Sequence, residues 1–502
     1  MASTKINIAA NFLGRIWIAL MSIVFIPIYL RYLGIEVYGI IGIFASLQAI
    51  LMLLDAGLSP TLNREIASLS AFPEKAKEMR NLIRTLEIPY LLLACLILLI
   101  TFSLSPIIAT YWIKNKTISN ETLIQSFLII STSFVFQWIG NFYAGGLSGL
   151  QKQVHLNAVN IIMATLRSVG AIIILHFVSP TIQAFLTWQL FITICNTLTI
   201  YIFFKSFIPQ TRISPKFDST LFKGLWKFAA GMTGITLVVL ALTQTDKLIL
   251  SKMLNLEQFG YYSLVSSVTS MALEMIAGSV GASYFPQFSQ LFALRDENRL
   301  KQIYHQSSQV SNVLIIPTAI IFALFPSEIL FVWTRNQLLV DNSSILMTLV
   351  AIGVGINTLM TIPYFMQLAH GITKITFWVN IFAVIFLIPS MIYTTLHYGM
   401  YGGVTMWAVL NFLHIVITMQ VIHRYILKGE LKKWYLIDVG LPMLTTIIPS
   451  IIIRVIFPPS QVFWYSFAVL FFATITALMF AAFSTPFSRN FILGKIKKFN
   501  LE

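Results

Sequence analysis

The sequence predicts an all-α polytopic membrane protein of about 14 transmembrane helices. They form two pseudo-symmetric six-helix lobes with two further helices appended. Three observations predict this. Hydrophobic residues make up 57% of the 502 residues, charged residues only 10%, and mean hydropathy is +0.82; soluble domains carry about 25% charge. The apolar residues fall into fourteen runs, and a crossing helix needs about 20 residues. A turn near the N-terminus recurs roughly 220 residues further on, as expected of a duplicated transporter half.

The runs, in chain order, are 6–32, 37–59, 83–112, 124–150, 156–178, 180–205, 222–250, 257–285, 306–332, 342–369, 375–397, 400–424, 436–457 and 461–483. The first two form a hairpin about the tight turn Arg31-Tyr32-Leu33-Gly34-Ile35-Glu36-Val37-Tyr38-Gly39. The second ends in Asp55-Ala56-Gly57-Leu58 and a basic exit at Arg64. The fifth and sixth are separated only by Ser179-Pro180, and that split is needed for the halves to match. The repeat places Lys252-Met253-Leu254-Asn255-Leu256-Glu257-Gln258-Phe259-Gly260 over Arg31 to Gly39, and Gly371-Ile372-Thr373-Lys374 over Gly149-Leu150-Gln151-Lys152. Residues 1–215 are therefore read as the first lobe, 216–430 as the second, and 431–502 as two extra helices with a basic tail.

Charge sets the orientation. The N-terminus, the even-to-odd connections and the C-terminal tail hold 22 of the 33 Lys and Arg, the opposite loops 5. The positive-inside rule then puts both termini in the cytoplasm. Much of the net +15 is thus topology rather than a nucleic-acid patch, with an attraction to anionic lipid added. The loops on the other face are short, so no soluble domain hangs there. Cys95 and Cys195 lie inside apolar runs and offer no disulfide framework. No metal-ligand spacing and no nucleotide-binding P-loop appears, so the sequence calls for no cofactor and no direct ATP drive.

Several runs carry polar residues at helical spacing, which puts them on one face. Asn11, Arg15 and Ser22 share a face of the first, Gln48 and Asp55 of the second, and Asn157, Asn160 and Arg167 of the fifth. Ser263, Ser267, Ser270 and Glu274 follow one face of the eighth, where small hydroxyls also serve close packing. An ionisable residue inside a membrane is a functional-site hypothesis. Arg15 either pairs with Asp55 or faces a wet cavity. Arg167 is deep enough for a cavity or interhelix role. In Asp246-Lys247 the lysine either snorkels to the interface or enters the cavity. Glu274 either binds a coupling proton or bonds to the serine stripe. Arg84 and Glu87 are set for a local salt bridge, whereas Lys227 and Arg454, near span ends, are expected to snorkel.

The hairpin residues Tyr32 to Gly39, Asp55-Ala56-Gly57-Leu58 and Arg64 resemble the start of polysaccharide-unit flippases of the Wzx type. So do Gly149-Leu150-Gln151-Lys152, Thr245-Asp246-Lys247-Leu248 and the stretch Leu254 to Gly260. The resemblance extends over the whole chain in length, span count and duplication. It implies membership of the multidrug/oligosaccharidyl-lipid/polysaccharide exporter superfamily, whose two six-helix lobes form a MATE-like V about a central cavity. It further implies alternating access in a bacterial inner membrane. The substrate would be an undecaprenyl-diphosphate-linked oligosaccharide, flipped to the periplasmic leaflet for O-antigen or another surface polysaccharide. Arg15, Arg167 and Lys247 become the candidate substrate-binding cations. Asp55, Asp246 and Glu274 become candidate ion-coupling or gating groups, with proton or sodium as counter-ion. A polysaccharide polymerase and a chain-length regulator are the implied protein partners. The rival reading is a cation-coupled drug or metabolite exporter of the same superfamily. An enzyme such as a polysaccharide polymerase is disfavoured because no large periplasmic loop is present.

Overall fold

The computed structural model describes residue 14 and residues 16–51, 57–70, 72–114, 118–209, 214–223, 244–370 and 374–499. Among these the fold is all-α, with one isolated bridge between Lys114 and Asn255. Helical residues 16–24 precede α1 (Ile26–Leu51), followed by α2 (Leu58–Leu69), α3 (Ala76–Ile107), α4 (Asn120–Gly149), α5 (Gln153–Phe177) and α6 (Ile182–Phe207). Helical residues 244–253 lead to α7 (Leu256–Ala293), then α8 (Glu297–Leu324), α9 (Pro326–Thr334), α10 (Gln337–Thr358) and α11 (Thr361–Ala369). The chain ends in α12 (Lys374–Tyr425), α13 (Leu441–Ile456), α14 (Phe463–Ser484) and α15 (Pro486–Phe499).

Eleven helices among the described residues are long and apolar enough to cross a membrane. The count of fourteen is not confirmed, for identifiable reasons. Most of the seventh run and much of the first lie outside the described residues. The eleventh and twelfth runs are both contained in α12, which breaks at Gly399 (φ 61, ψ −148). His414 Nε2 lies 3.0 Å from Asn380 Oδ1, although 34 residues of straight helix would separate them by about 50 Å. A Cβ on Gly402 would stand 2.3 Å from the Thr394 carbonyl oxygen. So α12 folds back on itself at Gly399 as two antiparallel arms. In α1, Gly34 (φ 77, ψ 172) makes the corresponding break at the predicted first turn. Both glycines occupy a backbone region that side chains forbid. The Ser179-Pro180 split also holds: α5 stops at Phe177, and the Thr181 hydroxyl caps α6 by accepting from the Ala184 N–H.

Two compact units are formed, residues 1–260 and 261–502. In the first, α4 is central and packs on α2, α3 and α6, with α5 laid on α6. Its core gathers Leu62, Leu86, Tyr90, Trp138, Phe142 and Phe204. The ring of Phe204 occupies the space where a Gly146 Cβ would be, at 2.3 Å, so a small residue on α4 sets how closely α6 approaches. The repeated turn has a structural counterpart here. A Cβ on Gly39 would meet the Leu256 carbonyl oxygen at 2.5 Å, and one on Gly260 would meet the Ile35 carbonyl oxygen at 2.4 Å. Glycine of each copy thus packs on the equivalent aliphatic residue of the other. Leu256 N–H donates to the Lys114 carbonyl (3.1 Å), and Trp112 Nε1 donates to Ser251 Oγ (3.1 Å), mooring this segment to the end of α3. Gly260→Val is therefore expected to lower the thermal midpoint, since overpacking against backbone costs about 1–3 kcal/mol. An unchanged melting curve would show that the segment yields freely.

In the second unit α8 is the central element. It packs against α10, α13, α14 and α15, while α12 packs on α10 and α9 joins α10 and α14. Ala473, Ala477 and Ala481 form a fully buried small-residue face of α14. The outward faces of α12, α13 and α14 expose Phe386, Ile448, Phe471 and Phe472, as lipid-facing helices should.

Candidate functional site

Polar side chains collect on α5 where the N-terminal helical segment and α1 lie against it. Trp17 Nε1 donates to Thr165 Oγ1 (2.9 Å), Tyr29 Oη donates to the Ser168 carbonyl (3.2 Å), and Tyr32 Oη bonds to His176 Nδ1 (2.9 Å). A Cβ on Gly14 would stand 2.6 Å from Asn157 Oδ1. Part of the polar stripe read from the fifth run therefore serves interhelix packing. Asn157 in particular is buried and donates to the Gln153 carbonyl of its own helix (2.8 Å).

Arg167 lies at the centre of this face. It is half-buried, and its Nη2 donates to Thr193 Oγ1 of α6 at 3.3 Å. Thr193 also accepts from Ser133 Oγ of α4 (3.2 Å) and donates to the Gln189 carbonyl (2.8 Å). Tyr29 is near enough to interact electrostatically with the guanidinium. Trp188 packs against this part of α5. Its indole N–H lies 3.3 Å from both the Leu166 and Arg167 carbonyls, and its ring fills the space beside Gly170. Among the described residues Arg167 has no carboxylate partner, and its Nε is buried without a hydrogen bond. A cation in a membrane interior without a counter-charge is costly, and hydroxyl oxygens alone compensate it weakly. A guanidinium with spare donors suits a carboxylate, phosphate or diphosphate group, which it can grip in bidentate fashion.

The other candidate residues are placed as follows. Arg15 and Asp55 lie outside the described residues. Asp246 is buried, at 3% exposure, beside half-buried Lys247 on helical residues 244–253. Glu274 is on an exposed face of α7 in the second unit. Lys227 also falls outside the described residues. The local salt bridge of Arg84 with Glu87 is present at 3.2 Å. Tyr143 Oη donates to the other Glu87 oxygen at 2.9 Å, a partner the sequence does not announce. Arg454 corrects the snorkelling expectation. It pairs with Glu328, which is 1% exposed, and its guanidinium lies over the Phe325 ring. An ion pair with a buried carboxylate outweighs the pull of the interface.

The second unit holds a buried polar cluster that sequence reading missed. His305 Nδ1 stands 2.5 Å from Asp438 Oδ2, and His305 Nε2 stands 3.1 Å from Glu430 Oε2. Lys301 Nζ lies 3.4 Å from Glu430 Oε1, and Gln309 Nε2 donates to Asp438 Oδ1 at 2.9 Å. The only sequence signal is that Asp438 falls in an apolar run without a neighbouring cation at helical spacing.

Comparison with known proteins places the chain. A family model described as polysaccharide biosynthesis protein matches residues 5–292. A Shigella flexneri protein, provisionally named an O-antigen transporter, is 22% identical over 404 residues, covering 80% of this chain and 94% of the relative. The succinoglycan biosynthesis transport protein ExoT of Rhizobium meliloti is 26% identical over 147 residues, covering 27% and 29%. Among solved structures, the lipid II flippase MurJ in an inward closed conformation superposes with a TM-score of 0.73 at 14% identity, over 97% of this chain and 99% of that one. An inward-facing MATE family transporter of the MOP superfamily gives 0.64 at 13% identity, over 85% and 96%. These two likenesses establish the fold, as an all-α transporter fold of the MurJ and MATE type.

Proposed function

The chain belongs to the polysaccharide biosynthesis protein family, and on that premise we propose that it is a flippase for lipid-linked oligosaccharides. It carries undecaprenyl-diphosphate-linked repeat units from the cytoplasmic to the periplasmic leaflet of a bacterial inner membrane, by alternating access. It is a transporter and not an enzyme. The curated relatives named for O-antigen and succinoglycan transport support the substrate class. The observation that carries the reading is Arg167, a guanidinium deep in the first unit that meets only hydroxyl groups among the described residues. The diphosphate would supply the missing negative charge. Arg15 and Lys247 are proposed as further cations along the same route, and Asp55, Asp246 and Glu274 as coupling or gating carboxylates. Both termini are proposed to be cytoplasmic, a reading that the charge bias of the loops supports. A polymerase and a chain-length regulator would receive the flipped unit.

The test is reconstitution into liposomes with a labelled undecaprenyl-diphosphate oligosaccharide, with and without imposed proton and sodium gradients. Wild type is expected to move the label across the bilayer, and Arg15→Ala to move it at least about tenfold more slowly, the loss of one charge-assisted hydrogen bond. Movement by both at equal rates would keep the flippase and remove Arg15 from the route. No movement by wild type with the cognate sugar and a gradient present would favour the exporter reading. Transport unaffected by collapse of both gradients would remove the coupling role of the carboxylates.

A further inference from the structure

A second basic site lies apart from the face around Arg167. Arg80, Ile83, Arg84 and Glu87 occupy one face of α3, at the spacing that aligns side chains along a helix. With Lys205 and Ile208 at the end of α6 and Pro215 of the following segment, they line a cavity of about 180 Å³. Among the described residues three cations and one carboxylate line it. That carboxylate is already committed, because Glu87 is 6% exposed, takes Arg84 on one oxygen and accepts from Tyr143 Oη on the other. Arg84 still shows 47% of its side chain and keeps donors unused by Glu87. Lys205 stands 5.5 Å over the Tyr201 ring, so its ammonium is held at the rim.

The wall at Pro215 is held by the residues that follow it. Lys216 N–H donates to Asn81 Oδ1 (2.9 Å), and Asp218 N–H donates to Thr85 Oγ1 (3.0 Å), pinning the chain across α3 on either side of Arg84. The nearby Asp218 carboxylate caps its own turn through Oδ1, accepting from the Leu221 and Thr220 backbones and the Thr220 hydroxyl, and these bonds hold its pKa below the usual carboxylate value.

We propose that this cavity binds a phosphate-bearing anion, held by Arg80, Arg84 and Lys205. Its volume is below the roughly 300–1,000 Å³ of sites for larger ligands, so it takes one phosphate or a phospholipid headgroup and not a sugar repeat unit. Guanidinium forks and an ammonium are the side chains that recognise phosphate. Ile83, Ile208 and Pro215 give an apolar wall that a glycerol or acyl carbon can contact. The site does not depend on what the chain transports.

Thermal unfolding of the full-length protein in a zwitterionic detergent tests it. The probes are short-chain phosphatidylglycerol, short-chain phosphatidylcholine and inorganic phosphate. Phosphatidylglycerol is expected to raise the midpoint by about 5–10 °C near saturation. The rise should vanish in Arg80→Gln/Lys205→Gln and persist in Lys432→Gln/Lys433→Gln, which removes basic charge elsewhere. A matching rise with inorganic phosphate alone assigns the site to a soluble anion; a rise only with phosphatidylglycerol assigns it to a lipid headgroup. The proposal is overturned by no rise in the wild type, by an equal rise with phosphatidylcholine, by a rise that survives Arg80→Gln/Lys205→Gln, or by equal loss in the Lys432/Lys433 variant.

Discussion

Arg167→Ala will bind and flip a diphosphate-linked oligosaccharide about ten to a hundred times less well than the wild type, yet remain folded. A hydrogen bond to a charged group contributes about 1.5–3 kcal/mol, and 1.4 kcal/mol is tenfold. The fold should tolerate the change because no buried carboxylate is stranded: among the described residues Arg167 has none. Thr193 loses one 3.3 Å contact and keeps its bonds with Ser133 and the Gln189 carbonyl. Trp188 bonds to the Arg167 carbonyl, which the substitution leaves in place, so the α5–α6 packing should survive. Arg167→Lys should fall between the two, since it keeps the charge and loses the bidentate fork. Competition by soluble diphosphate esters separates binding from movement. If Arg167→Ala flips at the wild-type rate, the guanidinium is a structural feature of the α5–α6 interface and the cationic route rests on Lys247 alone among the described residues.

Local features were the ones the sequence disclosed. The turn Arg31–Gly39 was legible because the chain must reverse between two apolar runs, and the break falls at Gly34, where only glycine tolerates the backbone found. Arg84 with Glu87 was legible because one helical turn joins them. The echo of Arg31–Gly39 at Lys252–Gly260 was legible in the sequence, but not that Gly39 and Gly260 would pack reciprocally on Leu256 and Ile35. Partners distant in the chain were out of reach. Nothing near Arg454 names Glu328, and nothing near His305 names Asp438. Arg167 was singled out by its depth in an apolar run, yet its surroundings come from Tyr29, Ser133 and Thr193 on three other helices. Helical spacing assigns a face, and only packing determines what that face meets.

Removing Asp438 or His305 should be among the most destabilising single changes in the second unit. Asp438 is fully buried and His305 is 3% exposed, so whichever partner remains keeps its polar atoms in a dry site. Breaking a buried pair costs about 3–5 kcal/mol, on the order of 10 °C in the midpoint of a unit this size. The reach of the cluster adds to this. Asn312 Nδ2 donates to the Asp438 carbonyl (2.9 Å), and Gln309, besides bonding Asp438, accepts from the Phe487 N–H (3.1 Å). One helix, α8, thereby holds the segment before α13 and the start of α15. Both ring nitrogens of His305 face carboxylate oxygens, and a neutral imidazole has one donor, so the cluster holds an extra proton on the ring or on a carboxyl. Asp438→Asn should therefore cost less than Asp438→Ala. An asparagine N–H can donate to Nδ1 of a neutral ring whose Nε2–H still serves Glu430. Acid should weaken the outer half first. Burial pushes the Glu430 carboxyl up, but the His305 hydrogen bond and Lys301 outweigh it and hold its pKa below the ordinary value. A lowered carboxyl contributes stability that is complete above the ordinary carboxylate range and lost as pH falls below that range through its own lowered pKa. Thermal unfolding of Asp438→Ala, Asp438→Asn, His305→Ala and Glu430→Gln from neutral pH down to about pH 3 decides the matter. Midpoints within a degree or two of wild type for Asp438→Ala would show that water or relaxation replaces the cluster. A Glu430→Gln midpoint that falls as steeply with acid as the wild type would place the titrating group elsewhere.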